Sequence, residues 1–335
     1  MKPDERGFED AIEAALLAGG YLKSVPSHFD PVLGLDAAEL FAFIGATQST
    51  EWEKLLGGYG NDPDAAQRAF AKRLASELDA RGTVDVLRQG VVDQGVTIRL
   101  AYFAPAHGLT LELQTLFAAN RVSVTRQLAY EQGSTKTLDI VLLVNGIPTA
   151  TAELKNPLTK QDVEDAIGQY RSDRDPANVT LARRALVHFA VDPDRVAMTT
   201  KLGGQATRFL PFNLGHDGGA GNPPNPARHR TAHLWERVWA RDARMDLLAR
   251  FIHVERPTQG TPATRRAAER VIFPRFHQWD AVLALEADAR ERGAGHSYLI
   301  EHSAGFKRIL DDEEFCRVLM DLYASRVYQR ARRDP

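Results

Sequence analysis

Asp139, Glu153 and Lys155 are the residues whose types and spacing could do chemistry. They lie near the ends of "LDIVLLVNGIPTATAELKNP", which runs from Leu138 to Pro157. Asn145-Gly146 is a strong hairpin signal, because both residues tolerate positive φ. A short loop of Asn145, Gly146 and Ile147, flanked by Val144 and Pro148, places Asp139 opposite Glu153 or one residue from it. Glu153 and Lys155 are two apart, so on a strand they share a face. Two carboxylates brought together repel, and burial raises that cost. A divalent cation relieves it, and hard oxygen ligands with room for water suit Mg²⁺. A salt bridge between Glu153 and Lys155 on a solvated face satisfies the same spacing. The flanks bear on the choice: Asp139 is followed by five apolar residues, Ile140 to Val144, and Glu153 by contrast is preceded by small, weakly polar ones. Charges at the ends of a buried strand pair need partners.

The elements that must carry this hairpin follow a mixed α/β order. Phe8, Ile12, Leu16 and Leu17 recur at helical spacing, and Gly19-Gly20 ends that helix. Further helices are expected over roughly 36–44, 48–57 and 63–80. "TLELQTLFAANRVSVTRQLAY" passes from helix to a strand near 122–129. The hairpin follows, then a helix in "QDVEDAIGQYRSDR" and strands in "RALVHFAVD" and "RVAMTT". The segment 213–230, "NLGHDGGAGNPPNPARHR", is a long Gly/Pro/Asn loop of the kind that is functional or a linker. "TAHLWERVWARDARMDLLARFIHVE" shows two helical stretches. The breaker-rich start of 256–270 marks a domain boundary.

Composition narrows the class. The chain has 335 residues, 44% hydrophobic and 26% charged, with net charge −2. No global positive field draws it to nucleic acid, so such contacts need local patches or partners. One cysteine, Cys316, excludes an internal disulfide framework and a cysteine zinc site, and it suits a reducing cytoplasm. The charged start lacks the apolar stretch of a signal peptide. No apolar run approaches the ~20 residues of a membrane span, so no membrane association is expected.

The spacing of Asp139, thirteen intervening residues, then Glu153-Leu154-Lys155 resembles a PD-(D/E)xK nuclease core. More closely, "STKTLDIVLLVNGIPTATAELKNP" is similar to the N-terminal nuclease domain of the restriction (R) subunit of type I restriction-modification enzymes. "NRVSVTRQLAY", "VHFAVDPDRVAMTTKL", "TRFLPFNLGHDGGAGNPPNP" and "IFPRFHQWDAV" resemble that subunit in the same order, so the likeness spans about residues 5 to 305. It implies an α/β fold with a restriction-endonuclease-like core, a central mixed sheet flanked by helices. It divides the chain into a nuclease domain at 1–255, a remnant of the start of a helicase motor at 256–305 and a helical tail at 306–335.

The resemblance also implies roles. Asp139 and Glu153 would hold Mg²⁺, helped by the carbonyl of Leu154. Lys155 would orient the attacking water or neutralise charge on the phosphorane, in an in-line hydrolysis of a DNA phosphodiester. Glu9, in "FEDAI", matches an acid that such nucleases place beside the metal; it also fits the exposed side of an amphipathic helix. Gln169 matches the glutamine of the Q-x-x-x-Y motif and would position substrate. The tyrosine position of that motif is Asp173 here, and Tyr170 sits directly after the glutamine. Arg171, Arg174, Arg228 and Arg230 are the candidate DNA contacts.

The chain departs from the family after Gly305. "RFHQWDAV" resembles the start of a superfamily 2 helicase motor, with Arg275 and Gln278 at the adenine-reading positions. "SYLIEHSAG" resembles the strand that leads into a phosphate loop. Such a loop needs G-x-x-x-x-G-K-[ST], but Gly305 is followed by Phe306-Lys307-Arg308. No ATPase activity is expected. Two function classes follow. One is an Mg²⁺-dependent endonuclease module acting on double-stranded DNA with methyltransferase and specificity subunits. The other is a non-catalytic assembly or interference module that docks on those subunits.

Overall fold

The computed structural model describes residues 5–105, 110–156, 161–217, 219–261, 264 and 269–293. The expected phosphate-loop remnant at 297–305, the tail from 306 and Cys316 lie outside the described residues. The chain divides into two compact units, 1–216 with 220–274, and 217–219 with 275–335.

The first unit opens with α1 (Glu5–Ala18), whose Phe8, Ile12 and Leu16 form a buried stripe at four-residue spacing. β1 (Leu22–Lys23) follows, then the short pair β2 (Phe29–Asp30) and β3 (Leu35–Asp36). Four helices come next: α2 (Ala37–Thr47), α3 (Ser49–Gly58), α4 (Pro63–Arg81) and α5 (Thr83–Gln89). α4 starts as its sequence dictates, with Asp62 accepting from the Ala65 N–H and Pro63 in the first turn. Neither α5 nor the hairpin of β4 (Val91–Asp93) and β5 (Val96–Ile98) behind it is expected from the sequence; both are too short to display a period.

α6 (Leu111–Ala118) leads into the main run: β6 (Val122–Ala129), β7 (Thr137–Val144), β8 (Ile147–Leu154), α7 (Val163–Ser172), β9 (Val187–Val191), β10 (Val196–Thr199) and β11 (Leu210–Pro211). Among the described residues these strands and β1 build a seven-stranded sheet in the order β1-β6-β7-β8-β9-β10-β11. β1 runs parallel to β6 and β8 parallel to β9; the other neighbours are antiparallel. β8 is the middle strand and is buried along its whole length. α7 makes the crossover between the parallel strands β8 and β9. Its Val163, Ala166 and Ile167 pack on Ala190 and Ala197, at the spacing that carried the helical reading.

Among the described residues the loop at 213–230 has no regular element, and it is knitted by asparagines. Asn222 donates to the carbonyl of Asp194 and the side chain of Asn213, while its own oxygen accepts from the Leu214 N–H. The segment after it forms the two expected helical stretches: a π-helical turn (Leu234–Val238), then α8 (Arg241–Asp246) running on into a second π turn (Leu247–Phe251). β12 (His253–Glu255) pairs with β13 (Arg270–Ile272) and closes this unit's described run.

In the second unit the described residues form α9 (Phe276–Arg292). Gln278 is buried, and its side-chain oxygen accepts from the Arg275 N–H at 3.0 Å to cap the helix. No described helix is long and apolar enough to cross a membrane.

Candidate active site

The β7–β8 hairpin turns on two residues rather than three. Asn145 (φ 51°) and Gly146 (φ 81°) both take the left-handed backbone that a tight turn of this kind requires. Val144 pairs with Ile147 and Leu143 with Pro148; the register then shifts, so Leu142 pairs with Ala150 and Ile140 with Ala152. Thr149 is the extra residue of a β-bulge. The shorter loop and the bulge cancel, and one further step sets Asp139 across from Glu153. The turn itself is inside the protein. Asn145 is fully buried; it accepts from the Arg121 N–H and donates to the Leu100 carbonyl and to Asn120. The Gly146 carbonyl accepts from the Asp36 N–H at 2.8 Å.

At the other end of the hairpin the ladder opens and side chains take over. Asp139 Oδ2 accepts the Leu154 N–H at 2.7 Å, where a β7 carbonyl would otherwise stand. Odd-numbered β8 residues serve β9: the Leu186 N–H reaches Thr149 O, and the Lys155 N–H reaches Val191 O. Alternation therefore turns both backbone groups of Leu154, the carbonyl included, toward the Asp139 side. The Lys155 N–H bond also carries the strand geometry one residue past β8, so Glu153 and Lys155 leave the sheet on one face. Lys155 is half-buried.

Glu153 has no exposure to solvent. Its Oε1 accepts from Arg174 Nε at 2.7 Å, and its Oε2 has no hydrogen-bond partner. Burial, then the charge of Asp139, push its carboxyl up to about 8, against the opposing pull of Arg174. A buried carboxyl oxygen with no donor facing it, beside a second acid with which it can only share a proton, is a place that a hard cation fits once that proton leaves. Among the described residues no cluster of three acidic, histidine or cysteine side chains forms a complete metal cage. Mg²⁺ does not need one, because it retains several waters and binds through one or two carboxylates.

Glu9 joins the site through one side chain. Gln127 Nε2 donates to Glu9 Oε1 at 2.6 Å and to Asp139 Oδ1 at 3.1 Å. Arg126 holds the other oxygen of Glu9 at 2.7 Å and also reaches Asp10 and Glu13. Glu9 is buried, and burial first, with the Asp139 charge adding to it, raises its pKa despite Arg126. Glu9 is thus on the buried side of α1, not its exposed side.

The other expected residues divide. Gln169 is half-buried on α7. Tyr170 is in the core, its hydroxyl 2.7 Å from Thr151 Oγ1, which also meets His188 Nδ1 at 2.8 Å. Arg171 donates to the Thr207 carbonyl. Arg228 pairs with Glu236, and Arg230 with Asp194 at 3.4 Å. Arg174 needs a correction as a DNA contact. It is buried, locked between Glu153 and the Thr137 carbonyl, because the carboxylate it neutralises is inside the sheet. Burial works against its charge, and the Glu153 contact outweighs that and raises its pKa. Sequence reasoning missed this role, along with Arg126 and Gln127. Their one available signal was an Arg-Gln pair placed in an otherwise apolar-leaning strand.

Residues 64–207 match the family described as type I restriction enzyme R protein N terminus. That span contains β6 to β10 and with them Asp139, Glu153 and Lys155, while Glu9 lies before it. No curated protein matches the chain.

Proposed function

We propose that this chain is the nuclease module of a type I restriction enzyme R subunit, hydrolysing DNA phosphodiester bonds with Mg²⁺ and without an ATPase motor of its own. The observation that carries the reading is Glu153: a fully buried carboxyl group with no donor at one oxygen, set across from Asp139 at an opened strand end. Asp139, Glu153 and the Leu154 carbonyl would hold the ion. When bound, Mg²⁺ would supply Lewis-acid polarisation of the phosphoryl oxygen and a more acidic water. Lys155, on the same face as Glu153, orients the attacking water or meets the charge that grows on the phosphorus oxygens. Gln169 positions substrate from α7. Asp139 is pinned at both oxygens, so the site is organised before DNA arrives.

Double-stranded DNA is the substrate, and methyltransferase and specificity subunits are the partners, with sequence recognition left to the latter. With net charge −2 the isolated chain binds duplex weakly and with steep salt dependence. In this reading 1–255 is the nuclease domain, 256–305 the motor remnant and 306–335 the tail.

One observation favours the assembly-module reading. Arg174 gives Glu153 a structural partner, and a buried ion pair needs no catalysis to explain it. Plasmid nicking with Mg²⁺, with and without the partner subunits, separates the two. Glu153→Gln keeps the hydrogen-bond acceptor for Arg174 and removes the charge. The nuclease reading expects folded, inactive protein. A variant that still nicks DNA as the parent does takes Glu153 out of the chemistry, and a parent inactive under every condition leaves the assembly role.

A further inference from the structure

Gln127 stands in the middle of β6 with φ 49°, a left-handed backbone that a long side chain seldom adopts inside a strand. The pairs on either side, Arg126 with Ile140 and Leu128 with Leu138, are regular, so Gln127 stands across from Asp139. Its carboxamide is engaged at both ends. Oε1 accepts from Thr137 Oγ1 at 2.8 Å, which fixes the orientation of the amide and turns Nε2 toward the acids. Nε2 then donates to Glu9 Oε1 and Asp139 Oδ1. Asp139 is consequently held at Oδ1 by Gln127 and at Oδ2 by the Leu154 N–H, each oxygen keeping a lone pair. Backbone strain of this sort persists where the surroundings over-determine it, and it clusters at functional sites.

We infer that Gln127 is a positioning residue for the metal site, its amide joining the α1 acid Glu9 to Asp139 and setting their separation for a shared divalent cation. The inference rests on the nuclease reading. It also gives Glu9 a place at the site without a direct bond to either β-strand acid. Removing the amide leaves Asp139 with one anchor and Glu9 with Arg126 alone, and the two carboxylates then move apart by their own repulsion.

The test is Mg²⁺ binding by calorimetry, with no DNA present, on the full chain and on Gln127→Ala and Gln127→Gly. Both variants are expected to bind Mg²⁺ at least ~10-fold more weakly, the loss usual for a group that orients metal ligands. Their melting temperatures are expected to differ, with Gln127→Gly the higher, since glycine takes positive φ without strain. The glycine variant keeps the test decisive if the alanine variant fails to fold. Wild-type affinity in Gln127→Gly overturns the positioning role, whatever its melting temperature. A parent chain that binds no Mg²⁺ at all overturns the nuclease reading and this inference with it, which is a different result.

Discussion

Arg174 Nε lies 2.7 Å from Glu153 Oε1, and both side chains are closed to solvent. Taking two charges out of water is costly, and breaking such a pair from one side leaves the other charge uncompensated. Above about pH 8, where Glu153 is ionised, Arg174→Ala should therefore destabilise the protein by about 3–5 kcal/mol. The double variant Arg174→Ala/Glu153→Gln should recover most of that loss. Urea unfolding midpoints check both. An Arg174→Ala variant as stable as the parent would show that Glu153 finds another partner.

The raised carboxyl of Glu153 sets a pH window. Its folded value of about 8 stands above the ordinary value of 4.5, so the folded state holds this proton more tightly than the unfolded chain does. The contribution is complete below about pH 4.5 and is lost as pH rises through about 8. Measured without metal, wild-type stability relative to Glu153→Gln should fall across that window and level above it.

The same carboxyl should make Mg²⁺ binding release a proton at neutral pH. Apparent affinity should rise up to about pH 8 and then flatten. Calorimetry in two buffers of different ionisation enthalpy reads the proton directly. An affinity independent of pH between 6 and 8, as a rough range, would mean that Glu153 is not a ligand.

Gly146 holds φ 81°, and a Cβ added there would meet the Asp36 carbonyl oxygen at 2.2 Å. Gly146→Ala combines strain with a backbone clash and should cost at least ~2 kcal/mol. Thermal melting checks it. Gly95 sits at φ 79° with open space around it, so Gly95→Ala isolates the strain alone and should cost less.

Nucleotide should find little here. Gln278 is buried and its side-chain oxygen serves as the cap of α9. Adenine contacts without a phosphate cradle bind weakly. Calorimetry should show no saturable ATP binding at micromolar concentration, and Gln278→Ala should lower stability instead of changing any nucleotide response.

How much of this was legible in the sequence varies with the range of the interaction. The Asp139–Glu153 facing was readable because Asn145-Gly146 announces a turn and strands alternate. It survived the wrong loop length only because a bulge at Thr149 added back the residue that the tighter turn removed. The stripe of α1 and the face of α7 were readable for the same reason, a local period. Arg174 was not, since nothing in "RSDR" distinguishes an arginine that folds inward from one left in water. Gln127 was hidden more deeply: its role depends on a backbone conformation that glutamine does not favour and on an acid 118 residues earlier in the chain. Long-range polar contacts leave no periodic mark.

The burial of the Asn145-Gly146 turn has a practical consequence. Hairpin tips are ordinarily where a peptide tag, a fluorophore or new chain ends are accommodated, because water surrounds them. Here the tip is plugged into the protein by Asn145 and by the Gly146–Asp36 contact, so a graft at that point would pull the strands carrying Asp139 and Glu153 out of register. The β4–β5 hairpin is the contrasting case: Gly95 at its tip faces open space, and an insertion between Gln94 and Gly95 leaves β7 and β8 untouched.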